Sequence, residues 1–88
     1  MAFYYIYILK SKKDKKLYTG YTSNLKIRLE SHKNGKVFST KNRLPVELIY
    51  FEGCLNMNDA VHREKYLKTT YGKRYIKNRL KLYMEESK

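Results

Sequence analysis

Residues 5–20 read "YIYILKSKKDKKLYTG" (Tyr5 to Gly20). Two short runs rich in aromatic and β-branched residues flank a lysine-rich turn, the pattern of a β-hairpin. Phe3 to Lys10 reads as the first strand, with Tyr5 and Tyr7 on one face and Ile6 and Ile8 on the other. Ser11 to Lys16 is the turn, with Asp14 suited to it, and Leu17 to Thr22 is the antiparallel partner. The connection is too short for the crossover that parallel strands require, so the hairpin is not a doubly wound parallel unit. A hairpin needs apolar residues on one face but does not need a phenol in each arm. Tyr7 and Tyr18 therefore raise a choice between packing and chemistry.

Outward from the hairpin, Thr22, Ser23 and Asn24 offer helix N-caps, and a first helix is expected from about Asn24 to Lys33, closed by Asn34-Gly35. "KVFSTKNRLP" (Lys36 to Pro45) is a basic loop. Val46 to Glu52 reads as a third strand that Gly53 ends, and Asn56 or Asn58 caps a second helix running to about Thr70. Gly72 interrupts it, and Lys73 to Met84 is expected as a third, basic helix. The expectation is an α/β (α+β) chain of order ββαβαα, a three-stranded antiparallel sheet flanked by helices. It forms one domain over 1–88, with its core at about 3–84.

Twenty Lys and Arg against eight Asp and Glu give a net charge of +12 in 88 residues. A domain this basic, with ten tyrosines interleaved among its lysines, suits a polyanion, nucleic acid above all. The single Cys54 excludes an intramolecular disulfide and suits a reducing cytoplasm. No apolar run approaches the ~20 residues of a membrane helix. "MAFYYIYILKSKK" lacks the basic n-region and cleavage site of a signal peptide. A soluble cytoplasmic monomer is expected.

Three polar residues occupy inward positions. On the first helix Leu25 and Leu29 mark the buried stripe, and Arg28 and His32, four residues apart, fall on it. On the second, Glu64 sits within the stripe of Ala60, Leu67 and Tyr71. A buried charge is costly unless paired or ligated. An Arg28–Glu64 ion pair between helices is the structural alternative, and a lone histidine or strand tyrosine is commonly packing. His62 falls on the opposite face of its helix and reads as solvated. No Cys/His cluster suggests zinc, and no phosphate-binding glycine loop is present.

These residues resemble a known pattern. "YIY" (Tyr5-Ile6-Tyr7) and "YTG" (Tyr18-Thr19-Gly20) resemble the two halves of the GIY-YIG nuclease signature. "GYTSNLKIRLESHKNGK" resembles the segment that follows, with Arg28 eight residues after Gly20 and His32 one turn later. "DAVHREKYLK" resembles the helix that carries the family's metal-binding glutamate, here Glu64. The resemblance covers nearly the whole chain and is nearest to small standalone bacterial proteins similar to the N-terminal incision domain of the excision-repair nuclease. The sequence departs from the signature at Tyr5 and Thr19, where the family has glycine and isoleucine.

The resemblance implies metal-dependent hydrolysis of a DNA phosphodiester, structure-guided and in DNA repair or processing, with one Mg²⁺ or Mn²⁺. Tyr7, Tyr18, Arg28 and His32 would be catalytic, Gly20 structural within the site and Glu64 the metal ligand, with Asn78 a candidate for the family's late asparagine. Phosphate contacts fall to Lys36, Lys41, Arg43, Lys73 and Arg74. Cationic surroundings favour a phenolate, which could take a proton from water; which tyrosine does so stays open. Two other readings stand beside hydrolysis: a basic nucleic-acid-binding module without cleavage, and a domain that uses its lysines to bind an acidic protein. A site requires the polar ends of Tyr7, Tyr18, Arg28, His32 and Glu64 to line one cleft. Tyr7 and Glu64 on opposite faces of the sheet would sink the nuclease reading outright and leave nucleic-acid binding as the best surviving one.

Overall fold

The computed structural model describes residues 2–86. The elements run β1 (Tyr4–Ser11), β2 (Leu17–Thr22), α1 (Leu25–Lys33), β3 (Val46–Cys54), α2 (Met57–Leu67), α3 (Thr70–Arg79) and α4 (Lys81–Glu86). The fold is α+β: one three-stranded antiparallel sheet of order β2-β1-β3, flanked by helices. No helix among the described residues is long and apolar enough to cross a membrane.

β1 is central and buried on both faces, so its side chains divide two cores. Ile6 and Ile8 pack with Ala60 and Leu67 of α2 and Ile76 of α3. Tyr7 and Leu9 face the other way, towards Val46 and the half-buried Leu25 and Leu29 of α1. The alternation expected for the first strand thus separates α1 from α2 and α3 by the thickness of the sheet. The β1–β3 register shifts between Ile8 and Leu9.

Caps set the helix starts. Asn24 accepts the N–H of Ile27 at the head of α1, and Asn56 accepts those of Asn58 and Asp59 at the head of α2. Three boundaries differ from the sequence reading. β3 continues through Gly53, which pairs with Tyr5, to Cys54; a glycine lacks a side chain but keeps both ladder groups, so it need not end a strand. α2 stops at Leu67 rather than near Thr70, because Thr69 caps α3 by accepting the N–H of Gly72. Gly72 therefore lies in the first turn of α3 and does not break a helix. A Cβ there would overlap the carbonyl oxygen of Tyr66 and the Cα of Leu67, so glycine lets α3 sit directly on the end of α2. The expected helix from Lys73 to Met84 is two helices, α3 and α4, divided at Leu80, which turns into the core beside Ile76. Tyr71, expected on the α2 stripe, belongs to α3 and is exposed.

The loop between α1 and β3 is tied down from the hairpin. The buried Ser11 hydroxyl donates to the carbonyl of Arg43 (2.6 Å), and the N–H of Lys12 donates to that of Pro45 (2.8 Å). Gly35, with φ +72°, turns the chain out of α1 into this loop.

Candidate active site

Tyr7 and Gly20 stand opposite each other in the β1–β2 ladder and share a face. A Cβ at Gly20 would overlap Cζ and Oη of Tyr7, so the phenol lies across the bare backbone of β2. β2 is an edge strand, and Gly20 lets the Tyr7 side chain, only 2 % exposed, carry its hydroxyl towards that edge.

Three groups meet there. The Tyr7 hydroxyl is 2.9 Å from Nε2 of His32, and Nε of Arg28 donates to the same oxygen at 3.3 Å. The other imidazole nitrogen, Nδ1, is 2.7 Å from Oγ1 of Thr40. His32 and Thr40 are both buried. Burial first, and the Arg28 guanidinium second, hold the His32 pKa below its ordinary value. Arg28 itself is exposed, a departure from the inward position expected for it. From the rim its long side chain still reaches the phenol.

A cavity of about 220 Å³ opens at this point, lined by Tyr7, Tyr18, Thr19, Gly20, Tyr21, Arg28, His32, Val37, Ser39, Glu64 and Lys68. Tyr7 and Glu64 do come from opposite faces of the sheet, and the expectation that this sinks the nuclease reading needs correction, because both residues still line one cavity. Tyr7 lies on the α1 face of the sheet, whereas α2, which carries Glu64, packs on the opposite one. They share a cavity because it wraps the edge of the sheet: four consecutive residues of β2, Tyr18 to Tyr21, line it, and these point alternately to the two faces. Tyr7 arrives over Gly20 from one side and Glu64 from the other.

The Glu64 side chain is 19 % exposed and pairs with Lys68 one turn on, at 3.2 Å, rather than with Arg28. Tyr18 lines the cavity, but its hydroxyl donates to Asp14 in the hairpin turn at 3.4 Å. The N–H of Lys16 is the main influence keeping Asp14 ionised below the usual carboxylate range, and Arg43 lies 3.1 Å away. The two phenols are therefore not equivalent: that of Tyr7 faces imidazole and guanidinium, and that of Tyr18 faces a carboxylate.

Asn78 is exposed on α3 and does not line the cavity. Lys36, Lys41, Arg43, Lys73 and Arg74 are all exposed. Lys73 joins Lys15, Lys16 and Lys77 around a second cavity of about 390 Å³, which shares Thr19 with the first. A larger cavity of about 640 Å³, lined by Phe3, Tyr5 and Phe51 among others, holds Lys26 as its one charged side chain and none of the candidate site residues.

Sequence reasoning missed Thr40, Val37, Ser39 and Lys68. Lys68 was readable as the i+4 partner of Glu64. Thr40 carried no signal, because a loop without periodicity gives no indication of which hydroxyl turns inward.

Among the described residues no group of three or more His, Cys, Asp or Glu side chains is disposed to hold a metal. Glu64 is the one carboxylate lining the cavity. A single hard oxygen donor beside open volume fits Mg²⁺ or Mn²⁺, which keep waters and share substrate oxygens, and does not fit zinc.

Comparison with known proteins identifies the family. A profile described as the GIY-YIG catalytic domain matches residues 3–85. The chain is 49 % identical over 65 residues to a UPF0213 protein of Clostridium perfringens, covering 73 % of this chain and 69 % of that one. It is 46 % identical over 70 residues to a UPF0213 protein of Staphylococcus haemolyticus, covering 78 % and 84 % of the two chains. A UPF0213 protein of Pediococcus acidilactici matches at 40 % over 81 residues, covering 85 % and 82 %. No solved structure matches significantly.

Proposed function

Because the chain belongs to the GIY-YIG family, we propose that it hydrolyses phosphodiester bonds of nucleic acid, DNA in the first place, at the cavity on the β2 edge. The observation that carries this reading is the convergence of Tyr7, Arg28, His32 and Glu64 on one cavity from three elements on both faces of the sheet. Residues serving only as filler have no reason to bring their polar ends together.

The chemistry follows from the partners. Water attacks phosphorus, an O–P bond forms, and the bond to the leaving oxygen breaks. The water's proton goes to the Tyr7 oxygen while the Tyr7 hydroxyl proton passes to Nε2 of His32, 2.9 Å away. Two features suit His32 to this. Its lowered pKa keeps it neutral at pH 7, so a ring nitrogen has a lone pair to offer. Thr40 can accept the Nδ1 proton and so orient the ring. Arg28 lies at the rim, where its fork matches two phosphate oxygens as charge develops on them. Glu64 would hold the divalent cation, which when bound supplies charge neutralisation at the phosphate and the leaving oxygen. Tyr7 is the base rather than Tyr18, because the Tyr18 hydroxyl is given to Asp14. A role in DNA repair or processing is the biological setting we attach to this activity.

One observation favours the second reading, nucleic-acid binding without cleavage. Glu64 is already neutralised by Lys68, and a cation must displace that ammonium to bind. The two readings part in a nicking assay on branched, flapped and linear DNA with and without Mg²⁺. Hydrolysis predicts Mg²⁺-dependent nicking that Tyr7→Phe lowers by about 100-fold or more. Absence of nicking on every substrate, with binding intact, would leave the binding module.

A further inference from the structure

Phe38 is 85 % exposed, more than any other large apolar side chain among the described residues. Its place is specific. Val37 and Ser39, its immediate neighbours, both line the site cavity. The backbone around it is fixed: the carbonyl of Val37 accepts the N–H groups of both Thr40 (3.2 Å) and Lys41 (2.9 Å). Thr40 is fully buried against His32, so the turn that carries Phe38 is anchored to the same imidazole that contacts Tyr7. A fixed backbone thus holds an apolar ring out in water at the lip of the site, where a polar residue would serve a simple turn better.

Lys41 places its ammonium 4.8 Å from the centre of this ring. An aromatic face with a cation beside it matches a nucleotide, the ring for the base and the ammonium for its phosphate. A second copy of this chain is a poor occupant, because two bodies of charge +12 repel. We propose that Phe38 is a positioning residue for the reaction: its ring stacks on a base next to the cleaved phosphodiester and holds that phosphate against Arg28 and Tyr7. Such a base must have one face free, as at a branch, a flap or an unpaired strand. This inference rests on the nuclease reading for the word "cleaved", but the stacking contact can be tested without it.

The test pairs protein and DNA changes. Once the cleaved bond is mapped, an abasic nucleotide is placed on either side of it, and the intact chain and Phe38→Ala are compared on both DNAs, with circular dichroism confirming the fold of this surface variant. Phe38→Ala is expected to lower cleavage and binding of the intact DNA by roughly 5- to 100-fold. On one of the abasic DNAs the unsubstituted protein should fall to the same level and Phe38→Ala should lose nothing more, while Phe38→Trp restores the intact-DNA rate. An equal loss on intact and abasic DNA, or no loss on either, overturns the proposal while leaving hydrolysis standing. If no DNA is cut, a branched oligonucleotide with 2-aminopurine at its unpaired position gives a separate readout. Fluorescence quenching that Phe38→Ala removes supports stacking even where hydrolysis has failed, and quenching that survives Phe38→Ala contradicts it. A dimer that Phe38→Ala dissolves would assign the ring to a second copy and overturn the proposal as well.

Discussion

The hydroxyl of Tyr7 and Nε2 of His32 stand 2.9 Å apart, both residues buried, one from the central strand and one from the last turn of α1. Twenty-five residues separate them in sequence. Their contact ties the central strand to α1 through a buried polar pair rather than through apolar packing alone. An apolar pair would pack as well without desolvating an imidazole, and here the imidazole is satisfied at both nitrogens.

Thr40→Val tests the outer half of that arrangement. The substitution keeps the shape and removes the hydroxyl, leaving Nδ1 of His32 buried without a partner. Urea denaturation should show a loss of about 1–3 kcal/mol. Cleavage should fall further than stability explains, because the ring loses its orientation. An unchanged midpoint would mean that water replaces the hydroxyl.

The lowered pKa of His32 sets a pH dependence. The unfolded chain binds a proton at this residue near its ordinary value of 6.5, and the folded chain binds it only at lower pH. In between, the unfolded state holds more protons, so stability rises with pH. The His32 contribution is complete above about pH 6.5 and is lost as pH falls through the folded value. Asp14 and Glu52, held low chiefly by the Lys16 N–H and by Arg63 respectively, act in the same sense at more acid pH. Melting curves between pH 7.5 and pH 5 should therefore decline, and more steeply than those of His32→Gln.

Gly20→Ala should fail in the fold and in the site together. The methyl group must displace the ring of a buried tyrosine, at a cost of about 1–3 kcal/mol. The displaced phenol then leaves His32. Thermal melts and nicking rates measured on the same preparation should both drop. A variant with normal melting and normal rate would show that Tyr7 does not need to cross β2 at this point.

Affinity should be mostly phosphate contact. With about five phosphates neutralised, the logarithm of the duplex binding constant should fall with the logarithm of salt at a slope near −4 to −5. Fluorescence anisotropy across a salt series measures it, and a flat response would exclude the lysines as the binding surface.

Much of this was legible in the residues. The alternation of Tyr5, Ile6, Tyr7 and Ile8 announced a strand with two different faces, and the caps Asn24 and Asn56 were among the several candidates that marked the two helix starts. His32 and Glu64 were visible as polar residues on apolar stripes. Two things were not legible. Gly72 and Gly53 resembled stops, because a sequence does not tell a glycine that breaks an element from one that lets two elements touch. That Tyr7 and Glu64 line one cavity around an edge strand was hidden too, since face alternation alone places them apart; the bare backbone of Gly20 lets the Tyr7 phenol reach a cavity that Glu64 lines from the other side.

On the nuclease reading, Glu64 serves hydrolysis and not affinity. Glu64→Gln is therefore measured beside the unsubstituted chain on one branched DNA, following nicking in Mg²⁺ and binding by anisotropy in the same buffer. Removal of the one carboxylate lining the cavity should abolish nicking and leave the dissociation constant within a few-fold. A Glu64→Gln protein that nicks at the rate of the unsubstituted chain would refute the role given to this residue and the hydrolytic site built around it.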